Sequence, residues 1–406
     1  MHILRHASIS DLGPRRRTNE DAVLAADPLP LFAVADGTGG SETAKWVVNV
    51  LHDAGSVLRG HGHKVRENDG STASRLAIGA FFENAFERAS QRIRTERTQQ
   101  NRGAMAASAV AATVLDKFAY VAHVGDTRAY LLRAGDLRCL TTDHTLAMLQ
   151  LQRGEISPSE FQTSPFRHTL SQALGVSPDL NVDIAEIRLM HGDILVLCSN
   201  GLTRVVNDGQ ILRLIRDESV QAIPDVLTRA AREAGGRDNV SIVALEVGAD
   251  EEKTEPSVAN VVDIVRQVFL FKLLSEPQWL SVAPYIEEKT FRDGEVIFRE
   301  GDDSDLFFII GDGAVEKLRG SNVIESLGSG DCFGELALAG PNQRTYTAVV
   351  SGKAVCFAMS RASFLKIVNH KPILGSRLSL ALIRGLGQRL IDSRQKISVI
   401  RQALGG

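Results

Sequence analysis

The stretch GADEEKTEPSVAN at 248–260 sets the first limit on what the chain folds into. It is charged, holds Pro256 and has no large apolar residue except Val258, so it reads as a solvated connection. A linker at 249–260 leaves one piece at 1–248 and another at 261–406, each long enough for its own core. A composition of 44% hydrophobic and 23% charged residues suits two such cores. The formal net charge of −3 gives no global attraction to nucleic acid or to an anionic membrane. No run of about 18 apolar residues occurs, and the N-terminus lacks a charged region followed by a long apolar one, so neither a membrane span nor a signal peptide is expected. Cys139, Cys198, Cys332 and Cys356 are widely spread with no C-x-x-C pair. Three lie in apolar strand-like runs, as buried free thiols of a cytoplasmic protein do, and the spacing gives a structural zinc site no support.

In the first piece, SETAKWVVNVLHDAGSVL and ASRLAIGAFFENAFERASQRIRTE carry apolar residues at helical spacing. Residues 117–141 read as a meander of short strands, turning at Gly125-Asp126 and at Ala134-Gly135-Asp136. The second piece opens on a helix-like VVDIVRQVFLFKLL. Short strands with frequent glycine run from Phe291 to about Met359, and a helical tail follows. Glycine at that density points to a compact roll of strands. The expected class is α+β, ending in a β-roll flanked by helices.

Five acidic residues of the first piece lie at strand ends or in tight turns. They are Glu20 and Asp21 in RRRTNEDAVL, Asp36 in VADGTGG, Asp126 in HVGDTR and Asp238 in GGRDNVSIVAL. Singly, Asp-Gly at a strand end is a turn signal. Together they match what a hard divalent cation needs: oxygen ligands, several carboxylates, and backbone able to come close. Gly37 leaves the neighbouring carbonyl clear to act as a further ligand. DILVLCSNGL at 193–202 repeats the outline of LFAVADGTGG at 31–40 but ends on Asn200, a neutral amide. His61 and His63 in GHGH read as an exposed polar loop rather than as ligands.

Six motifs in order resemble the metal-dependent Ser/Thr protein phosphatases of the type-2C (PPM) family, from about Ser8 to Val247. They are GPRRRTNEDAVL, VADGTGG, AYVAHVGDTRAYLLRAGDL with TTDHT, RHTLSQALG, GDILVLCSNGL and GGRDNVSIV. The resemblance implies an αββα sandwich that hydrolyses phosphoserine or phosphothreonine of phosphoproteins at two divalent metals, Mn²⁺ or Mg²⁺, with a weaker third. By it, Asp36 bridges the metals and the Gly37 carbonyl holds the second. Glu20 acts through water, Asp21 belongs to the same metal set, Asp238 ligates the first metal, and Asp126 serves the third. Arg16 grips the substrate phosphate with its fork of donors. Arg15 and Arg17 are expected at the solvated surface, and residues 145–172 match the flap of bacterial members. Three departures stand out. Asn200 replaces a metal-ligating aspartate, MAAS at 105–108 replaces a Gly-Thr-Thr pattern, and Thr38 stands where some members carry a histidine proposed as general acid. An amide offers an oxygen but no charge.

In CFGELALAGPNQRTYTAVV at 332–350, Glu335 precedes Arg344 by nine positions. Alone, such a pair would be a surface ion pair worth little. Flanking a short turn inside a β-roll, it builds a cradle for a small anion. With GEVIFREGDDSDLFFIIGDGAVEKL, the stretch resembles cyclic-nucleotide-binding domains over about Val262 to Ser393. That implies Arg344 on the cyclic phosphate, Glu335 accepting from the ribose 2′-hydroxyl, and backbone at Gly334, Leu336 and Ala337 completing the pocket. The ligand implied is cAMP or cGMP, with the Thr345 hydroxyl in reach of a guanine amino group. Tyr346, where a small residue is common, is a departure. No helix-turn-helix pattern follows residue 393, so a DNA-binding activator is not expected. Two functions stay open. One is a cyclic-nucleotide-regulated phosphatase, as a monomer or a homodimer. The other is a phosphatase-fold binding protein gated by nucleotide, in which Asn200, natural or introduced, prevents turnover.

Overall fold

A computed structural model describes residues 4–26, 31–67, 72–100, 103–115, 118–177, 179–247, 265, 267–340 and 342–403. The chain divides into two compact units, Met1–Glu252 and Lys253–Gly406. The expected linker at 249–260 lies outside the described residues.

The first unit runs β1 (Leu4–Asp11), β2 (Asp21–Ala26), β3 (Leu31–Thr38), α1 (Glu42–Glu67), α2 (Thr72–Gln99), β4 (Ala106–Leu115) and β5 (Phe118–Val124). It continues with β6 (Arg128–Arg133), β7 (Asp136–Cys139), α3 (Leu146–Arg153), α4 (Pro158–Thr163), β8 (Asp183–Arg188) and β9 (Ile194–Cys198). It closes with α5 (Asn200–Thr203), α6 (Asp208–Ile215), α7 (Ile223–Glu233) and β10 (Val240–Val247). Two antiparallel sheets form, ordered β2-β3-β4-β5-β8 and β1-β10-β9-β6-β7. Residue size decides how they pack. Ala33, Ala35, Ala109 and Ala111 of β3 and β4 lie under the helices, and Val47, Leu51, Phe82 and Phe86 of α1 and α2 fill the room that small side chains leave. Each buried phenylalanine there stabilises by roughly 1.5–3 kcal/mol. The opposite face, with Phe32, Val34 and Val110, is buried too. The other sheet lies against it, with the His6 ring of β1 edge-on to Phe32 at 5.3 Å. Tyr130, Val196, Ile242 and Ala244 of that second sheet pack on Ile211, Ile215 and Leu227 of α6 and α7. The layers are therefore αββα.

Two expectations need correction. Residues 117–141 are not one meander: β5 belongs to the first sheet and β6 to the second, so Gly125-Asp126 is a crossing between sheets. Gly125 has φ 102, and a Cβ there would collide with Ser108. Within 117–141 the hairpin is β6–β7, with Ala134 and Gly135 both left-handed at φ 49 and 78, the turn whose twist suits paired strands. His61 and His63 lie in α1 rather than in a loop.

The second unit holds α8 (Glu276–Val282), β11 (Glu287–Phe291), β12 (Val296–Phe298), β13 (Asp303–Ser304), β14 (Leu306–Arg319), β15 (Asn322–Leu327) and β16 (Cys332–Phe333). After these come α9 (Leu336–Ala339), β17 (Asn342–Gln343), β18 (Thr347–Ser360), α10 (Arg361–His370) and α11 (Pro372–Ala403). An antiparallel sheet β11-β18-β14-β15 takes β12 on β18 and β16 on β14, and β13 pairs with β17. Its strands are not all short, since β14 and β18 have 14 residues each. They bend rather than end, through register shifts between Ile310 and Ala314. Phe298, Phe308, Ile310, Phe333 and Val350 fill the roll. Of the helix-like 261–274, residues 261–264 and 266 lie outside the described ones, and 269–273 are turns.

Candidate metal centre and anion cradle

The strand ends of the first unit converge where the sheets meet. Asp21, the first residue of β2, lies directly across from Asp36 on β3, which lies across from Ser108 on β4. Directly opposed residues of an antiparallel pair share a face, so the two carboxylates are forced together. Asp126 enters on the β5–β6 crossing, Asn200 as the first residue of α5, and Asp238 in the turn before β10. Asn239 ties these parts together. Its Oδ1 accepts from the Glu20 amide at 3.0 Å and its Nδ2 donates to the Leu12 carbonyl at 2.8 Å.

Burial pushes the Asp21 carboxyl up to about 6, against the pull of the nearby Ser199 and Ser241 hydroxyls. Asp36 is driven well above the carboxylate range by burial and by repulsion from Asp21, Asp126 and Asp238. Burial also raises Asp126. Two arginines supply positive charge from the rim. Arg16 meets Asp238 at 2.8 Å and Glu20 at 3.5 Å, and Arg204 meets Asp238 at 3.3 Å and Asp126 at 3.8 Å. Asp21 Oδ2 is buried with no hydrogen-bond partner among the described residues. A buried orphan oxygen inside mutually repelling carboxylates is what an oxygen-seeking dication relieves. At Gly37 a Cβ would stand 2.9 Å from both the Glu20 carbonyl and the Ala44 amide, so only glycine fits there. The residues suit a divalent metal by charge and by oxygen donors, with Arg16 and Arg204 on Asp238 and an amide at Asn200 set against it. Asn200 turns its Nδ2 to Asp126, 3.1 and 3.0 Å from the two carboxylate oxygens, and a donor nitrogen is not a ligand.

His123, His144 and Asp183 are the group of three metal-ligating types whose ligand atoms lie within 4.8 Å of one another among the described residues. Their hydrogen bonds make it a clamp. His144 Nδ1 accepts from the Gly125 amide at 3.3 Å and from Gln172 Nε2 at 3.0 Å, so Nε2 carries the proton toward Asp183 at 3.2 Å. The His144 amide and His123 Nε2 both meet the Gly125 carbonyl, at 2.7 and 2.9 Å. Gly125 is thus held at both ends, which sets the position of Asp126.

In the second unit Arg344 is buried. Its Nη2 donates to the Leu306 carbonyl at 2.8 Å, and its Cζ lies 3.9 Å over the Phe298 ring. Its Nε and Nη1 have no partner among the described residues, and burial lowers its pKa. Gly334, at φ 75, carries no Cβ, and one would collide with Arg344 Nη1. Glu335 does not pair with Arg344 but with Arg389 of α11, at 2.5 Å. The Ala337 amide is engaged by the Gly334 carbonyl at 3.1 Å, so it is not an open donor, and Leu336 and Thr345 are exposed.

Sequence reasoning missed Arg204, Arg389 and the clamp. Arg204 had a signal, since it lies four positions after Asn200 and so over the same turn. Arg389, 54 positions beyond Glu335, had none.

The protein phosphatase 2C family profile matches residues 12–150, and the cyclic nucleotide-binding domain profile matches 288–371. The chain is 28% identical over 246 residues to the serine/threonine phosphatase stp of Listeria innocua, covering 58% of this chain and 93% of that one. It is 30% identical over 272 residues to the serine/threonine protein phosphatase PstP of Mycobacterium tuberculosis, covering 64% of this chain and 48% of that one. The crystal structure of the PstP catalytic domain in complex with two manganese ions superposes with a TM-score of 0.51 at 27% identity, over 61% of this chain and all of that one. The first unit is therefore homologous to the metal-dependent PPM Ser/Thr phosphatases. The chain carries a phosphatase 2C domain followed by a cyclic nucleotide-binding domain.

Proposed function

We propose that this chain is a protein Ser/Thr phosphatase whose turnover on phosphoproteins is set by a cyclic nucleotide bound in the second unit, with 249–260 as the linker. The observation that carries the reading is the buried carboxylate cluster around the orphaned Asp21 oxygen. Asp36, the Gly37 carbonyl, Glu20, Asp21 and Asp238 would hold two Mn²⁺ or Mg²⁺, and Asp126 a third, with Asn200 giving a neutral oxygen where its amide turns. Bound there, the metals activate water and offset charge on the phosphoryl group. Arg16, on Asp238 at the rim, would turn its fork of donors to phosphate oxygens. Thr38, exposed at the end of β3, has no titratable group to give, so protonation of the leaving serine falls to solvent.

In the second unit the unpartnered Arg344 nitrogens would take the cyclic phosphate, while Glu335 reaches the ribose hydroxyl only in competition with Arg389. Four free cysteines fit a reducing cytoplasm, and among the described residues no helix is long and apolar enough to cross a membrane. Turnover of a phosphothreonine peptide tests the proposal. It should require Mn²⁺ and change on adding cyclic nucleotide, and the change should vanish in Arg344→Ala. A second reading, a binding protein without turnover, is favoured by the Asn200–Asp126 bond, which satisfies the Asp126 carboxylate without metal. No hydrolysis at saturating Mn²⁺ would select it.

A further inference from the structure

Arg344 and Lys317 are the two buried charged side chains among the described residues of the second unit, 6% and 7% exposed. They flank one pair of aromatic rings, Arg344 on Phe298 and Lys317 on Tyr346. Arg344 Cζ lies 3.9 Å over Phe298, the Phe298 and Tyr346 rings are 5.5 Å apart, and Lys317 Nζ lies 5.0 Å over Tyr346. Strand register places the lysine there. On β14 it lies opposite Ala348 of β18, two residues past Tyr346, and opposite Glu325 of β15. A hydrogen bond also reaches Tyr346 from the Gly334 backbone, which joins the ring pair to the phosphate cradle. Burying an ammonium is costly, and the 2.7 Å bond to half-exposed Glu325 offsets only part of that cost. A methionine would cover Tyr346 equally well without it. What the lysine adds is a fixed donor over the Tyr346 ring.

We infer that Lys317 reads the base of the nucleotide whose phosphate Arg344 holds, and that it selects guanine over adenine, making cGMP the ligand. This rests on the reading of the second unit as a nucleotide site. A nucleotide laid along the ring pair has its phosphate at Arg344, its base against Tyr346 and its base edge at Lys317. An ammonium only donates. Guanine offers it two adjacent acceptors, O6 and N7, whereas adenine replaces O6 with an amino group that is itself a donor. Glu325, half exposed, turns to solvent or to the base when Lys317 leaves it. Selection therefore works at the 6-position and has no need of the guanine 2-amino group.

Calorimetric titration of the full chain with cGMP, cAMP and cyclic inosine monophosphate tests this, because the inosine nucleotide keeps O6 and N7 and lacks the 2-amino group. The expected result is equal binding of cGMP and the inosine nucleotide, with cAMP weaker by roughly tenfold or more. Lys317→Met should remove the preference and Lys317→Arg should keep it, with melting of the second unit checking that both variants fold. Three results would overturn the inference while leaving the nucleotide site standing. They are cAMP binding as tightly as cGMP, the inosine nucleotide falling to the level of cAMP, or a folded Lys317→Met with its preference intact. If none of the three nucleotides binds the wild type, the nucleotide reading fails and this one with it. Should Lys317→Met not fold, the inosine comparison alone decides.

Discussion

The Asn200 amide bridges both oxygens of Asp126 at 3.1 and 3.0 Å. An aspartate in its place would set one more negative charge against Asp126, beside Asp21 and Asp36, which are already pushed up. The amide thus eases the metal-free fold and weakens the hold on a dication. Asn200→Asp is expected to bind Mn²⁺ more tightly and to dephosphorylate phosphopeptides faster at low Mn²⁺. Equal turnover of the two proteins would show that the amide oxygen is an adequate ligand. Arg344→Ala is expected to abolish nucleotide binding, a loss of about 2–5 kcal/mol for a desolvated charge pair. Calorimetry should show this without any change in Mn²⁺ affinity, and wild-type nucleotide affinity in the variant would remove Arg344 from the pocket. Asn200 was legible in the sequence as a polar residue beside glycine at the end of an apolar run, and Arg344 as the cation nine positions after Glu335 in a glycine-rich roll. Lys317 was not, because a lysine in a strand ordinarily points to water.

The short helix α5 packs so closely on the turn before β10 that a Cβ on Gly201 would collide with the Asn239 carbonyl. Gly201→Ala should therefore destabilise the first unit by about 1–3 kcal/mol, as overpacking does. It should also weaken Mn²⁺ binding by shifting Asp238, and unchanged melting and metal titration would refute this. The β5–β6 crossing carries a pH dependence. His123 is fully buried, and burial drives its pKa down to about 3 from an ordinary 6.5. The ring is neutral in the fold but binds a proton in the unfolded chain below 6.5. Its contribution to stability is therefore complete above pH 6.5 and is lost as pH falls toward 3. At about 1.4 kcal/mol per pH unit, acidifying from 6.5 to 5 costs about 2 kcal/mol. Unfolding at pH 5 and 7.5 should show a smaller difference in His123→Asn than in the wild type, and an equal difference would clear this histidine. The crossing itself was misread as a meander. A strand, a glycine turn and a second strand look the same whether the strands pair with each other or with distant partners.

At the scale of the molecule, two compact units share one chain, and regulation requires that their ligands be coupled. Coupling is reciprocal: if nucleotide changes phosphopeptide affinity by some factor, phosphopeptide must change nucleotide affinity by the same factor. Nucleotide titrations with and without a phosphopeptide, in metal-free protein so that nothing turns over, should differ. Identical affinities would mean that the two units act independently. By itself the sequence determined the two-part organisation, the α+β class, and which carboxylates, arginine and glycines are set at strand ends and turns. Those follow from composition, periodicity and turn chemistry, all of which act over a few neighbouring residues. The tertiary structure alone decided which side chains meet: Glu20 with Asn239 across 219 positions, Asn200 with Asp126 across 74, Arg389 with Glu335, and Lys317 with Tyr346. Such meetings depend on sheet order and register, where a slip of one residue would turn each side chain to the opposite face.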